Sequence, residues 1–320
     1  MAARFKWGLL STARINNSIL GGMAHSERGE VLAVGSRDKA RAEAYAAAKG
    51  LARAYGSYEE LLADPDIQII YNALPNDLHA EWTIKALQAG KHVLCEKPFA
   101  LSLPDVDAMF AAAGSTGRVL AEAFMYRHHP KIVKLKELVD DGSLGEPVLL
   151  RSSHSFRLDR DKDIRWDPSL GGGSLWDVGC YPVSLALYLF GKPQRLHAWQ
   201  KRAASGVDGT FAATLYHGGD RVSQIDCSFQ APFRSQAEVV GTEGVITVMR
   251  PFQPSTPEAS LTLRRGDREE TIELSNPPVY WLEIEDMHDA ILTGAAPRVT
   301  PAETRAHVET LLQLYAAARG

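Results

Sequence analysis

A chain of 320 residues with 45% hydrophobic and 23% charged side chains is long enough for about two cores and has an ordinary globular composition. A net charge of -4 argues against a general nucleic-acid or membrane-surface binder, and no apolar run reaches the roughly 18 residues that span a bilayer. Cys95, Cys180 and Cys227 are an odd set with no CxxC, which indicates neither a disulfide framework nor a thiolate zinc site.

The N-terminus has no signal-peptide layout, so a cytoplasmic compartment is expected. The adjacent His128-His129 would not share a helix face, and no metal is expected.

Phe5 to Leu10 reads as a strand that runs into Ser11, Thr12, Ala13, Arg14 and Ile15 before a helix. Strand, small residues, then helix is the layout of a dinucleotide-binding turn. The literal G-x-G-x-x-G is absent; its slots fall on Ser11, Ala13 and Asn16. Val31 to Ser36 is continuous rather than alternating, as a buried parallel strand is. It ends about twenty residues after that turn, where an NAD-binding fold carries an acid for the ribose hydroxyls. Ser36 and Arg37 stand there instead, with Lys39 and Arg41 close behind. A serine hydroxyl and a guanidinium suit a 2′-phosphate, so NADP is expected over NAD.

The alternation continues through a helix over 40–49 stopped by Gly50, and a short helix opened by the capping box Ser57-Tyr58-Glu59-Glu60. A strand over 67–74 leads to Leu74, Pro75, Asn76 and His79, followed by a helix over 80–89 and a strand over 92–96. That strand ends at Glu96-Lys97-Pro98, and the Lys-Pro bond restricts the lysine backbone and admits a cis form. A helix over 102–113 and a strand over 119–124 follow. The pattern is α/β, a doubly wound parallel sheet in a domain over 1–125.

A second domain over 126–320 is expected to be α+β. A helix over 130–140 and a strand over 147–156 lead to a polar, loop-like stretch over 157–168. Gly171-Gly172-Gly173 and a helix to Phe190 come next, then seven β-type runs between 195 and 274. Their turns suggest one large open, mainly antiparallel sheet. Helices over 280–293 and 301–318 finish the chain, and the C-terminal helix is expected to pack back on the first domain. Within Ser174-Leu175-Trp176-Asp177-Val178-Gly179-Cys180-Tyr181, Asp177 and Tyr181 are one helical turn apart. Ser174 and Asp177 also match the S-x-x-D pattern of a helix cap, which leaves Asp177 divided between a cap and an active site.

Glu96-Lys97-Pro98, the Gly171 to Tyr181 stretch, Ala73 to His79 and Glu122 to Pro130 together resemble the glucose–fructose oxidoreductase / inositol dehydrogenase (Gfo/Idh/MocA) family. The match is to the branch holding dimeric dihydrodiol dehydrogenase and NADP-dependent D-xylose 1-dehydrogenase. The resemblance covers essentially the whole chain. It implies an N-terminal Rossmann domain, a C-terminal α/β domain whose open sheet often makes oligomer contacts, and hydride transfer at nicotinamide C4.

It further implies Lys97 as the catalytic lysine, with Asp177 and Tyr181 as the substrate-side pair. Ser11, Thr12, Ala13, Arg14, Ile15, Ser36, Arg37, Leu74, Pro75, Asn76, His79, Glu96 and Lys97 fall to the cofactor. Arg127, His154, Arg157, Arg165 and Trp166 are candidates for holding a polyol. The expected reaction is aldose C1 oxidation, with keto-sugar reduction, trans-dihydrodiol oxidation and a non-catalytic NADP sensor as alternatives. A tyrosine pKa near ~10 is too high for efficient base work at neutral pH, so a nearby lysine is expected to lower it; the two roles are exchangeable. A homodimer or higher homo-oligomer through the C-terminal sheet is expected. Two departures stand out: the degenerate glycine fingerprint, and Pro182, which removes a helix hydrogen bond beside Tyr181 and is expected to kink the helix.

Overall fold

The computed structural model describes residues 4–160, 162–253 and 259–318. The chain divides into two compact units: Met1–Met125 with Pro278–Thr304, and Tyr126–Pro277 with Arg305–Gly320.

In the first unit, six strands form one parallel sheet: β1 (Phe5–Leu10), β2 (Gly29–Gly35), β3 (Arg53–Tyr55), β4 (Ile69–Asn72), β5 (His92–Glu96) and β6 (Leu120–Ala123). Their spatial order is β3-β2-β1-β4-β5-β6. The order reverses between β1 and β4, which is where open α/β sheets bind their ligands. Five helices cross between the strands: α1 (Asn16–Met23), α2 (Lys39–Lys49), α3 (Tyr58–Ala63), α4 (His79–Gln88) and α5 (Leu103–Thr116). Their ends follow local chemistry. Ser57 and Ser102 each accept an amide from the first turn of α3 and α5, and Gly50 and Gly117 close α2 and α5 in the left-handed region.

The second unit begins with α6 (Pro130–Asp140). His129 caps it by accepting the Lys131 amide at 3.1 Å, and its other ring nitrogen meets Asn276 at 3.1 Å. The helix α7 (Cys180–Phe190) packs beneath an eight-stranded sheet. Its strands are β7 (Pro147–Ser155), β8 (Arg195–Arg202), β9 (Asp208–Tyr216), β10 (Val222–Ser228), β11 (Arg234–Gly241), β12 (Val245–Met249), β13 (Ser260–Arg265) and β14 (Arg268–Glu273). The order is β14-β13-β12-β11-β7-β10-β9-β8, and every pairing but β7 with β10 is antiparallel. The expected mainly antiparallel open sheet is therefore present.

Two helices end the described chain, α8 (Val279–Thr293) and α9 (Pro301–Ala317). The element that returns to the first unit is α8, and the chain from Arg305 belongs to the second. The expected division placed Pro278–Thr304 in a second domain over 126–320, whereas here it lies with the first unit. The physical reason is burial. Ile284 and Met287 of α8 join Trp7, Leu9, Ile69, Tyr71 and Leu94 of the sheet and Ile19 of α1 in one apolar core. The contact of α8 on α1 is close enough to need glycine: a Cβ on Gly22 would lie 2.7 Å from the Trp281 amide nitrogen.

Candidate active site

The three central strands of the first unit end level with one another. Leu10 pairs with Asn72 and Asn72 with Cys95, so the chain leaves β1, β4 and β5 along one rim. At the end of β1, Ser11 occupies the first glycine slot with φ 78°, the left-handed conformation for which glycine is the usual residue. Its hydroxyl takes the Ala13 amide at 3.3 Å and reaches the Ala73 carbonyl at 3.3 Å. Asn16, in the third slot, is buried and donates to the Ser11 carbonyl at 2.9 Å. Side-chain hydrogen bonds thus hold a turn that glycines usually permit. Among the described residues no backbone carbonyl takes the amides of Thr12, Arg14 or Ile15. Open amides at a helix start fit the pyrophosphate of a dinucleotide.

At the end of β2, Ser36 is buried and Arg37 exposed. The nearby acid, Asp38, serves as the N-cap of α2, accepting the Arg41 amide at 3.1 Å. Burial pushes the Tyr58 phenol above its ordinary pKa, while Arg37 and Arg41 beside it pull the other way. Two guanidiniums, with the neighbouring Asp38 turned to the helix cap, fit a 2′-phosphate better than a ribose hydroxyl.

Further along the rim, Leu74 is buried and Pro75 and Asn76 are half-buried, with a short 3₁₀ turn over Asn76–Leu78. His79 is fully buried and bridges two loops: Nδ1 lies 2.9 Å from the Pro98 carbonyl and Nε2 lies 2.8 Å from that of Leu74. Two carbonyls favour the imidazolium, but burial outweighs them and lowers the pKa, and the Lys97 ammonium adds to that. The ring lies buried between the two loops, and in its neutral form it donates to one of these two carbonyls. Glu96 accepts a short hydrogen bond from the Tyr71 hydroxyl, and its other oxygen takes the Lys97 amide at 3.2 Å. Lys97 is half-buried and its bond to Pro98 is cis.

In the second unit, the segment before α7 is a π-type turn over Leu175–Gly179. Pro182 falls in the first turn of α7, where its missing N–H costs little, so the irregularity lies upstream of the expected kink. Ser174 makes no cap hydrogen bond to this turn. Asp177 accepts from Arg165 Nε at 2.7 Å, and Arg165 also reaches Asp163 at 3.1 Å. The ion pair with Arg165 gives Asp177 a role beyond a local cap. The Asp177 carboxylate beside Arg165 raises the guanidinium pKa further, so Arg165 stays charged.

Tyr181 is 7% exposed and sits among rings, with centroids of Tyr126, His154 and Phe252 at 5.7, 5.4 and 5.5 Å. His154 is buried, and its Nδ1 lies 3.3 Å from the Arg234 carbonyl. Trp166 packs its ring edge-on to Phe229 at 5.2 Å. Arg157 is exposed and 3.5 Å from Asp159, and buried Arg127 stacks over Tyr188 at 3.5 Å. Arg165 therefore joins Asp177 and His154 joins Tyr181, whereas Arg127 meets Tyr188 and Arg157 meets Asp159.

Sequence reading missed the enclosing rings of Tyr126 and Phe252, and it missed Asp208 and Tyr315, described below. The Glu122 to Pro130 motif contains Tyr126, so its place there was the available signal. Phe252 and Asp208 stand outside any motif.

Comparison with known proteins follows the same division. A model described as an oxidoreductase family with an NAD-binding Rossmann fold matches residues 5–124, and a GFO/IDH/MocA C-terminal domain matches residues 132–247. D-xylose 1-dehydrogenase (NADP(+)) 2 of Haloferax volcanii is 39% identical over 316 residues, covering 98% of this chain and 97% of that protein. Trans-1,2-dihydrobenzene-1,2-diol dehydrogenase of Xenopus laevis is 34% identical over 76% of this chain and 74% of its own. Among solved structures, a 3-ketoreductase from Actinomadura kijaniata in complex with NADP and TDP-benzene superposes with a TM-score of 0.92 at 28% identity, covering 98% of each chain.

Proposed function

Because this chain belongs to the Gfo/Idh/MocA family of oxidoreductases, we propose that it is an NADP-dependent dehydrogenase oxidising an aldose at its anomeric carbon. The observation that carries this reading is the near-full-length likeness to an enzyme named for D-xylose 1-oxidation with NADP. The exposed Arg37 after β2, beside an acid committed to helix capping, supports NADP over NAD.

The amides of Thr12, Arg14 and Ile15 would hold the pyrophosphate, and Ser36 and Arg37 the 2′-phosphate. Bound NADP would supply the hydride acceptor at nicotinamide C4. Tyr181 Oη accepts the proton of the sugar hydroxyl, and Lys97 Nζ contributes the positive charge that stabilises a developing oxyanion. Asp177, fixed by Arg165, accepts a hydrogen bond from a neighbouring sugar hydroxyl and so orients the ring.

The likeness to a 3-ketoreductase favours a second reading, reduction of a keto-sugar by the same residues. NADPH absorbance decides between them: growth on adding D-xylose or another aldose to NADP supports oxidation. Loss of NADPH with a keto-sugar, and no growth with any aldose, would contradict it.

The open face of the second unit's sheet supports a homo-oligomer. A groove of about 820 Å³ there is lined by Arg151, Trp199, Gln224, Asp226 and Glu238 among others, and Trp199 and Met249 are 58% and 56% exposed. We assign that face to a second copy of the chain, and Trp199→Glu should lower the mass measured by light scattering. A cytoplasmic location agrees with three buried thiols, and among the described residues no helix is long and apolar enough to cross a membrane.

A further inference from the structure

The start of the Asp177 turn is held by a carboxylate from another strand. Asp208, at the start of β9, is 2% exposed. One of its oxygens accepts from the Ser174 hydroxyl at 2.7 Å and from the Leu175 amide at 2.7 Å. The other accepts from the Tyr315 hydroxyl of α9 at 2.7 Å. Burying a carboxylate costs free energy unless hydrogen bonds replace its hydration, and here three donors do so.

The arrangement is a helix cap supplied from a distance. The first amides of a helical turn have no acceptor within the turn. The Asp177 amide finds the Gly173 carbonyl at 3.1 Å, and the Leu175 amide finds Asp208. Ser174, placed by sequence to cap the turn, spends its hydroxyl on the same carboxylate. Asp177 pairs with Arg165.

Gly173 fits this cap, with φ 127° and a Cβ position only 2.2 Å from the Asp208 carboxylate. The glycines also carry the Arg165 side of the pair: the Gly173 amide donates to the Arg165 carbonyl at 3.0 Å, and that of Gly172 to the Asp167 carbonyl at 2.9 Å. Displacing the start of the turn would displace both members of the ion pair.

We propose that Asp208 is a positioning residue for this enzyme: its carboxylate, gripped by Ser174, Leu175 and Tyr315, sets the place of the turn that presents Asp177 and leads into Tyr181. Asp208 touches no reacting atom and acts through the turn. The inference rests on the reading of Asp177 and Tyr181 as substrate-side groups. An Asn at 208 keeps the shape but has one acceptor oxygen where three donors converge.

The test is Asp208→Asn and, as a milder change that removes one donor, Tyr315→Phe, beside wild type and Tyr181→Phe. Each is assayed with NADP and D-xylose, or the aldose of a panel that wild type turns over fastest, well below its melting temperature. NADPH affinity is read by fluorescence, and hydrogen exchange is followed over 174–181. The expected result is a kcat about tenfold to hundredfold lower for Asp208→Asn, less for Tyr315→Phe, with NADPH affinity unchanged and faster exchange over the turn. A purely structural role would lower the melting temperature and leave kcat of the folded variants near wild type; that result overturns the inference. An inactive Tyr181→Phe beside an unimpaired Asp208→Asn refutes the role of Asp208 alone. A fully active Tyr181→Phe, or a wild type that oxidises no aldose, refutes the reading beneath it and the inference with it.

Discussion

The two regions that carry the candidate chemistry are held in place by different means. On the rim of the parallel sheet, Lys97 is placed mainly by backbone: β1, β4 and β5 end in register, and local side chains add to this, Glu96 taking the Lys97 amide and His79 meeting the Pro98 carbonyl. In the second unit, Asp177 is placed by side chains drawn from Arg165, Asp208 and Tyr315, the last 107 positions from Asp208. Backbone register survives most side-chain changes, whereas a buried polar clamp depends on each member. The rim should therefore lose function chiefly where the reacting side chain itself is removed. The turn should lose it at residues that touch no ligand as well.

The largest effect that sharpens this contrast is expected at Lys97. Lys97→Ala should lower kcat by at least ~10²-fold while the melting temperature stays near wild type, since Lys97 lies past Glu96, the last paired residue of β5. Steady-state kinetics beside calorimetry checks it, and a large fall in melting temperature would break the comparison.

Arg37→Ala comes next. Losing a charge-assisted contact to the 2′-phosphate should raise the KM for NADP by about tenfold or more and leave that for NAD nearly unchanged. Equal effects on both cofactors would remove the 2′-phosphate assignment.

The first unit also contains buried polar side chains, and pH finds them. The indole of Trp7 donates to His288 Nε2 at 3.0 Å, and Phe5 stacks on the ring at 4.7 Å. Burial lowers the pKa of His288 to about 4. A base with a depressed folded pKa contributes stability that is intact above the ordinary 6.5 and is lost as pH falls toward 4. The loss is read as a falling denaturation midpoint between those pH values. A flat midpoint across that window would contradict the burial of a neutral ring.

The smallest effect has the opposite sign. Glu283 of α8 is 2% exposed, neither carboxyl oxygen has a hydrogen-bond partner among the described residues, and burial raises its pKa well above 4.5. Its stabilising neutral form is complete below 4.5 and is lost as pH rises through the folded value. Glu283→Gln should therefore raise the melting temperature by a few degrees at pH 8 and change it less at pH 5. An equal shift at both would show that ionisation is not the cause.

What the sequence made legible follows the same contrast. β1 over Phe5–Leu10 and α6 over Pro130–Asp140 match their expected bounds, because apolar runs and helix starts are written in neighbouring residues. The strand order and rim follow from alternating strands and helices. Asp208 was not legible as a cap. It stands 34 positions from Ser174, and the local S-x-x-D pattern pointed to Asp177 instead. His79 shows the same limit: its place in a motif suggested a ligand contact, and its burial between the Leu74 and Pro98 carbonyls was not written in neighbouring residues. Local patterns reported which segments form the site, and tertiary hydrogen bonds decided which side chains are committed to holding it.

The central claim, proton transfer by a tyrosine enclosed among rings, is tested most directly at Tyr181. Tyr181→Phe keeps the contacts with Tyr126, His154 and Phe252 and removes only the hydroxyl. With NADP and an aldose, kcat should fall by at least ~10²-fold while NADPH binds with wild-type affinity. Turnover within a few-fold of wild type would contradict the account.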